Sequence, residues 1–356
     1  RLITPGLGGL SGLLYTLAIP RADLGWLAWI CLVPCFYAVH RLIDHCHPRS
    51  QSSSWIVSMA ELGLAFGVAS GIGRVYWIAE TLVNYGALNA IQAALTTAAL
   101  ILYLALYPIC FFLVIGVLHR FHSPIFAWLS ACAWVVLEWA QSWIISGFPW
   151  ELLGYSQYRY LPMIQMASVT GIYGISFLIV LVNTGLSQAV ISRRRPLLHL
   201  GPPVFLVALA TILGYIRLQE LDATTADTRV QIGIVQGNVP QREKWTAGRS
   251  LRSTERYLDL TRQLVRSTSS PLDLIIYPET ALPFPLNHPS YRPLRERLLS
   301  LVQEIQVPVL VGTLERTDEH GTLNRALLFD VDGTVLGSYD KVHLVPFGEY
   351  LPLPWL

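Results

Sequence analysis

The stretch Tyr277-Pro278-Glu279-Thr280-Ala281-Leu282-Pro283 decides how the C-terminal part of this chain is read. Before it, the apolar run Leu274-Ile275-Ile276 lies within residues 272–277, which read as a buried strand, and Pro278 ends any ladder that the strand could join. Glu279 therefore stands at a strand end. A second charged group, Lys341, follows in Tyr339-Asp340-Lys341-Val342-His343-Leu344, at the end of another strand-like run. A carboxylate and an amine at two strand ends can supply a general base and a fixed positive charge, two of the three parts that acyl chemistry needs. The third part is a nucleophile.

Working outward, residues 229–236 have a β-rich, partly alternating pattern and residues 251–265 read as an amphipathic helix. Residues 291–305 read as a second helix and 307–313 as a further strand. Residues 323–330 and 334–339 form a hairpin across Val331-Asp332-Gly333, a sequence suited to a tight turn. Strands alternating with helices give an α/β layer architecture, with the helices on the outer face of the sheet.

Upstream the composition changes. The whole chain is 53% hydrophobic and 13% charged, with a mean hydropathy of +0.46, whereas soluble domains carry roughly 25% charged residues. Residues 1–218 hold 11 basic and 6 acidic side chains and residues 219–356 hold 14 and 17. This asymmetry predicts a transmembrane domain over 1–218 and a water-soluble domain over 219–356. Seven stretches meet or approach the length of a membrane span, at 2–20, 24–42, 55–73, 88–118, 124–145, 163–192 and 197–217. The Gly6-Leu7-Gly8-Gly9 run follows no strand and fits close helix packing. Arg1, Arg41, Arg49, Arg120 and Arg193 to Arg195 fall on one side of these spans, and Arg21, Arg74 and Arg159 on the other. The richer side is expected in the cytoplasm, which sends the chain after Arg217 to the opposite face.

Other classes find little support. The net charge is +2 and no basic block exceeds Arg193-Arg194-Arg195, so no nucleic-acid partner is expected. Cys31, Cys35, Cys46, Cys110 and Cys132 mostly sit in apolar runs as small hydrophobes. The cluster His45-Cys46-His47 is too tight for ordinary zinc-ligand spacing. No phosphate-binding glycine loop occurs, and no cofactor is implied. Glu61 and Glu138 lie inside apolar spans, where a charge is costly, and a structural role is expected for both. The aromatic loop 146–162 reads as an interfacial belt or the floor of an acyl-chain pocket.

Several motifs together resemble the apolipoprotein N-acyltransferase family, inner-membrane proteins of bacteria with a periplasmic nitrilase-like domain. They are the membrane block, Gly147-Phe148-Pro149-Trp150 with Gly154-Tyr155-Ser156-Gln157, and Val235-Gln236-Gly237-Asn238-Val239-Pro240-Gln241 with Lys244-Trp245. Pro278-Glu279-Thr280-Ala281 and Lys341-Val342-His343-Leu344-Val345-Pro346-Phe347-Gly348-Glu349 complete the set. The resemblance implies a multi-span α-helical membrane domain followed by an α/β nitrilase-like domain, an α-β-β-α sandwich incomplete at the C-terminus. It also implies a Glu-Lys-Cys site whose cysteine lies well downstream of the lysine. The chain begins at Arg1 and holds no cysteine after Cys132, so it reads as part of a longer protein, inactive as given, with a pseudoenzyme as the other reading.

The implied activity moves an acyl chain from a phospholipid to the amine of diacylglyceryl-cysteine on an apolipoprotein, at the bacterial inner membrane. Glu279, expected to be partly desolvated with a raised pKa, is the general base. Lys341 is the oxyanion partner, and Glu349 is implied as a second carboxylate that orients the lysine or the nucleophile. Trp245 and Trp150 are implied as functional aromatics and Asn324 as polar support. Arginine accounts for 23 of the 25 basic residues, and the two lysines, Lys244 and Lys341, both fall inside these motifs. A compact ammonium with a tunable pKa is what a guanidinium cannot replace. The alternatives are a membrane-bound nitrilase or amidase and a non-catalytic membrane protein.

Overall fold

The computed structural model describes residues 3–45, 54–86, 88–119, 125–192, 196–223, 229–240, 244, 248, 250–317, 321–345 and 349. The chain divides into two compact units, Arg1–Thr225 and Ala226–Leu356.

The first unit is helical: α1 (Ile3–Ala18), α2 (Val33–His45), α3 (Ser54–Val75), α4 (Trp77–Tyr85), α5 (Ala90–Leu118), α6 (Ile125–Gln141), the one-turn α7 (Leu161–Ile164), α8 (Ala167–Ser192) and α9 (Pro196–Ala223). Among the described residues five segments are long and apolar enough to cross a membrane, Gly25–Ile43, Trp55–Val75, Ala90–Leu118, Ala167–Ile191 and Pro196–Leu221. Helix α6 is apolar but shorter. Helix α1 has 16 residues, about 24 Å at 1.5 Å per residue, against a hydrocarbon core of about 30 Å. The apolar stretch 163–192 is not one straight helix. Its first turn separates as α7, and Gly171 breaks the helical path of α8 with φ 61° and ψ −167°.

Small residues set the packing of this bundle. A Cβ on Gly63 would lie 2.5 Å from the Ile109 Cα, and one on Gly67 would lie 2.7 Å from the Ala105 Cα, so α3 and α5 touch backbone to backbone. Gly8 and Gly12 bring α1 equally close to α3, where a Cβ would meet Leu62 O at 2.7 Å and Phe66 O at 2.6 Å. Of the glycine run read for packing, Gly8 alone serves it, since Gly6 and Gly9 face open space. The bundle gathers Arg21, Arg74 and Arg159 near one end. Arg21 lies over the Tyr76 ring, Arg74 over the Tyr15 ring, and Arg159 pairs with Asp23.

The second unit is a mixed sheet with two helices, α10 (Ser250–Ser267) and α11 (Arg292–Ile305). Strands β1 (Ile232–Ile234), β2 (Leu274–Ile276) and β4 (Val309–Thr317) run parallel, and β5 (Gly321–Phe329) and β6 (Val335–Asp340) continue the sheet antiparallel. A strand not expected from the sequence, β3 (Leu282–Pro285), pairs parallel with β4. Its two prolines hide it from any propensity reading, because proline lacks the ladder donor. Helix α10 buries Thr254, Tyr257, Leu258 and Thr261, and α11 buries Leu298, Leu301 and Val302. These spacings put each buried set on one face, and Tyr257 and Leu258 of one helix and Leu298, Leu301 and Val302 of the other join Ile275, Val309, Val311 and Phe329 in one core. On the other face of β1, Ile232 and Ile234 are exposed.

Candidate active site

Glu279 is placed by a short turn anchored on both sides. The Tyr277 N–H donates to Leu310 O at 2.8 Å and keeps the strand end in the sheet, while its hydroxyl meets Thr261 Oγ1 at 2.6 Å against α10. Burial pushes that phenol up to about 12, so it stays a neutral anchor. The Ala281 N–H closes the turn on Pro278 O at 3.2 Å. Between them Thr280 is buried and has φ +46°, an uncommon conformation for a β-branched residue. Gly312 of β4 lies directly under this turn, where a Cβ would be 2.3 Å from Pro278 O and 2.8 Å from the Glu279 Cα.

Lys341 follows β6, and its neighbour Asp340 is fixed by a fork from Arg325 of β5, with Nη2 to Oδ2 at 2.7 Å. Arg325 also pairs with Glu315 of β4, so one guanidinium ties three adjacent strands. The Lys341 N–H donates to Asn324 O at 2.8 Å. The Glu349 carboxylate is held by its Oε2, which accepts from the Val345 N–H at 2.7 Å.

Four side chains then close a ring. Lys341 Nζ lies 3.0 Å from Glu279 Oε1 and 3.0 Å from Glu349 Oε1. Asn324 Nδ2 donates to the same two oxygens at 2.6 Å and 2.9 Å. Two carboxylates that would otherwise repel are held close by one ammonium and one amide.

Electrostatics follow from this ring. The Lys341 hydrogen bond outweighs partial burial and holds Glu279 below the usual carboxylate range, with Asn324 adding to the effect. Burial alone would raise Glu349, but hydrogen bonds from Val345, Asn324 and Lys341 leave it lowered. Burial likewise works against the Lys341 cation, and its bonds to Glu349 and Glu279 overcome it, so its pKa is raised. The expectation of a desolvated Glu279 with a raised pKa is therefore corrected. Its side chain is 62% exposed, and a direct ammonium partner stabilises the ion more than that degree of burial destabilises it.

Of the residues read from the sequence, Glu279, Lys341, Glu349 and Asn324 come together. Trp150 belongs to the helical unit, where its ring lies 5.0 Å from that of Trp77 and its carbonyl accepts from Arg74 Nη2 at 2.7 Å. Trp245 lies outside the described residues. Lys244, which the sequence marks with Lys341 as one of two lysines, meets the same turn. Its Nζ donates to Thr280 Oγ1 at 2.5 Å and Glu279 O at 3.2 Å.

Residues 11–185 match the family described as the apolipoprotein N-acyltransferase N-terminal domain, and residues 231–354 match the carbon-nitrogen hydrolase family. An apolipoprotein N-acyltransferase of Geobacter metallireducens is 34% identical over 97% of this chain and 64% of its own length. That of Rickettsia prowazekii is 29% identical over 93% of this chain and 65% of its own. That of Methylococcus capsulatus is 33% identical over 84% and 58%. The chain thus spans less than two thirds of the length of these curated relatives. An apolar helical block joined to a carbon-nitrogen hydrolase fold, in this order and with this breadth of similarity, places the chain in the apolipoprotein N-acyltransferase family.

Proposed function

We propose that the full-length protein transfers an acyl chain from a phospholipid to the α-amino group of diacylglyceryl-cysteine on a lipoprotein, through a thioester on a cysteine thiol. The observation that carries this reading is the ring of Glu279, Lys341, Glu349 and Asn324 on a chain with five membrane-length apolar segments among the described residues. The cluster supplies what two-step acyl transfer requires of its fixed groups.

In the first step the thiol proton passes to Glu279 and the sulfur attacks the ester carbonyl, forming an oxyanion beside Lys341 Nζ. The C–O bond breaks, and the lysophospholipid alkoxide takes the proton from Glu279. In the second step the lipoprotein amine attacks the thioester carbonyl and loses a proton to Glu279. The C–S bond then breaks and the thiolate regains that proton. As Lys341 turns its charge toward the oxyanion, its hold on Glu279 weakens and the carboxylate becomes a stronger base. The resting pairing thus keeps the base ionised, and the developing charge makes it basic when a proton must move.

Charge asymmetry among the short connections supports a cytoplasmic location for the arginine-rich side and a periplasmic location for the hydrolase unit. Glu349 and Asn324 act as positioning groups for the lysine and the base, and Trp150 and Trp245 as lipid-facing aromatics. The test is to incubate the full-length protein with phospholipid vesicles and a diacylglyceryl-cysteine peptide. Equimolar N-acyl peptide and lysophospholipid are expected. Cleavage of a soluble amide without lysophospholipid would instead establish a membrane amidase.

A further inference from the structure

The two lysines of this chain both meet one turn, and only Lys341 belongs to the ring of side chains described above. Lys244 reaches the same turn from the segment after β1, where its own N–H donates to Pro240 O at 3.1 Å. Its ammonium binds the Thr280 hydroxyl at 2.5 Å and the Glu279 carbonyl at 3.2 Å, so it grips the backbone that carries the base.

That backbone needs a restraint. Thr280 sits at φ +46°, where the Cβ branch of threonine is disfavoured and where glycine is the usual occupant. Gly312 presses on the turn from the sheet side, so the turn has no room to relax downward. Lys244 holds it through the Thr280 hydroxyl and the Glu279 carbonyl. If the turn flipped to a relaxed conformation, the Glu279 carboxylate would leave the oxygen positions at which it meets Lys341 and Asn324.

We propose that Lys244 is a positioning residue for the general base, holding the strained Glu279-Thr280 turn in the conformation that aims Glu279 at Lys341. The inference rests on the acyl-transfer reading given above. An ammonium suits the task because it directs compact, rotatable donors at a hydroxyl and a carbonyl on one turn, whereas a guanidinium presents a wide planar fork. In support, burial drives the Lys244 pKa down against the pull of the Glu279 charge, so this amine has given up hydration to make its contacts.

The test uses the full-length protein and the rate of acyl-thioester formation at saturating phospholipid. Lys244→Met is expected to lower that rate about tenfold or more, with little change in the phospholipid concentration for half-maximal rate. Thr280→Val removes the hydroxyl partner while keeping the shape, and the effects of the two substitutions should add only in part, because they share the contact between Lys244 and the Thr280 hydroxyl. Glycine adopts positive φ without strain, so Thr280→Gly in the Lys244→Met background should restore most of the lost rate. A rate loss that Thr280→Gly leaves untouched, or a change confined to the half-saturating concentration, would show that Lys244 acts on substrate and overturn the proposal. Unchanged rates in both single variants would also overturn it. Thermal unfolding midpoints of each variant separate misfolding from misplacement. Should Glu279→Gln retain activity, the acyl-transfer reading fails; should Glu279→Gln be inactive while the Lys244 variants are normal, this inference alone fails.

Discussion

Gly312 shows how closely the site depends on single atoms. A methyl group there would lie within 3 Å of Pro278 O, the Glu279 Cα and the Thr280 N, all backbone atoms that cannot swing aside. Gly312→Ala should therefore displace Glu279 by a few tenths of an ångström or more and lower acyl-thioester formation by roughly a hundredfold. Thermal unfolding should fall as well, since Gly312 and Thr280 are buried and the clash is with backbone; a full-rate Gly312→Ala enzyme would contradict the placement. Asn324 gives a test by pH. Glu279 and Glu349 both lie below the usual glutamate value, so in the window between the two the unfolded chain binds more protons than the folded one. The stability they contribute is present above that window and is lost as pH falls through it. The raised Lys341 gives the opposite limb, present below the ordinary lysine value and lost as pH rises through the folded one. Asn324→Ala removes one donor from each carboxylate, and the acid limb of thioester formation should move to higher pH. A pH–rate profile of single turnovers checks this, and an unmoved limb would contradict the assigned hydrogen bonds.

At the scale of elements, a buried glutamate ties α6 to the aromatic loop. Glu138 is 5% exposed, and its Oε1 accepts from Trp134 Nε1 at 2.8 Å and from the Leu153 N–H at 2.9 Å. Gln141 Nε2 holds Phe148 O at 2.8 Å, and the Tyr15 hydroxyl holds Glu151 O at 2.9 Å, so the loop backbone hangs on side chains from α1 and α6. Glu138→Leu leaves a buried indole and a buried amide unpaired, at a cost of about 1–3 kcal/mol each. Glu138→Gln keeps an acceptor and should cost far less. Unfolding midpoints in detergent decide between them, and equal midpoints would contradict the buried bonds. The sequence showed that Glu138 was an anomaly in an apolar span but could not show its partners, which lie up to fifteen residues away. The other flagged acid, Glu61, is on the exposed side of α3. Strands β2, β4, β5 and β6 were legible because their apolar runs and the Asp332-Gly333 turn carry strong local signals. Strand β3 was not, because Pro283 and Pro285 contradict the local rule and only pairing with β4 makes the segment a strand. The ring at the site was half legible. Motif residues named its members, but a carboxylate's pKa depends on what stands 3 Å away, and that distance is a product of the fold.

At the scale of the whole molecule, the helical unit exposes large apolar side chains such as Ile91 at 74%, Leu197 at 84% and Val169 at 88%, a surface suited to hydrocarbon rather than water. The same chain carries a hydrolase-type unit with a charged ring of Glu279, Lys341, Glu349 and Asn324. The proposed acyl transfer from a phospholipid would give both halves a purpose, since its donor would reside in the bilayer and its proton chemistry would require fixed polar groups. The most direct measurement is intact-mass analysis of the full-length protein after brief exposure to phospholipid, comparing wild type with Glu279→Gln and Lys341→Met. An acyl adduct matched by released lysophospholipid is expected in the wild type, with its rate of formation lowered by about a hundredfold or more in each folded variant. Adducts forming at the wild-type rate in either variant would contradict the roles given to Glu279 and Lys341.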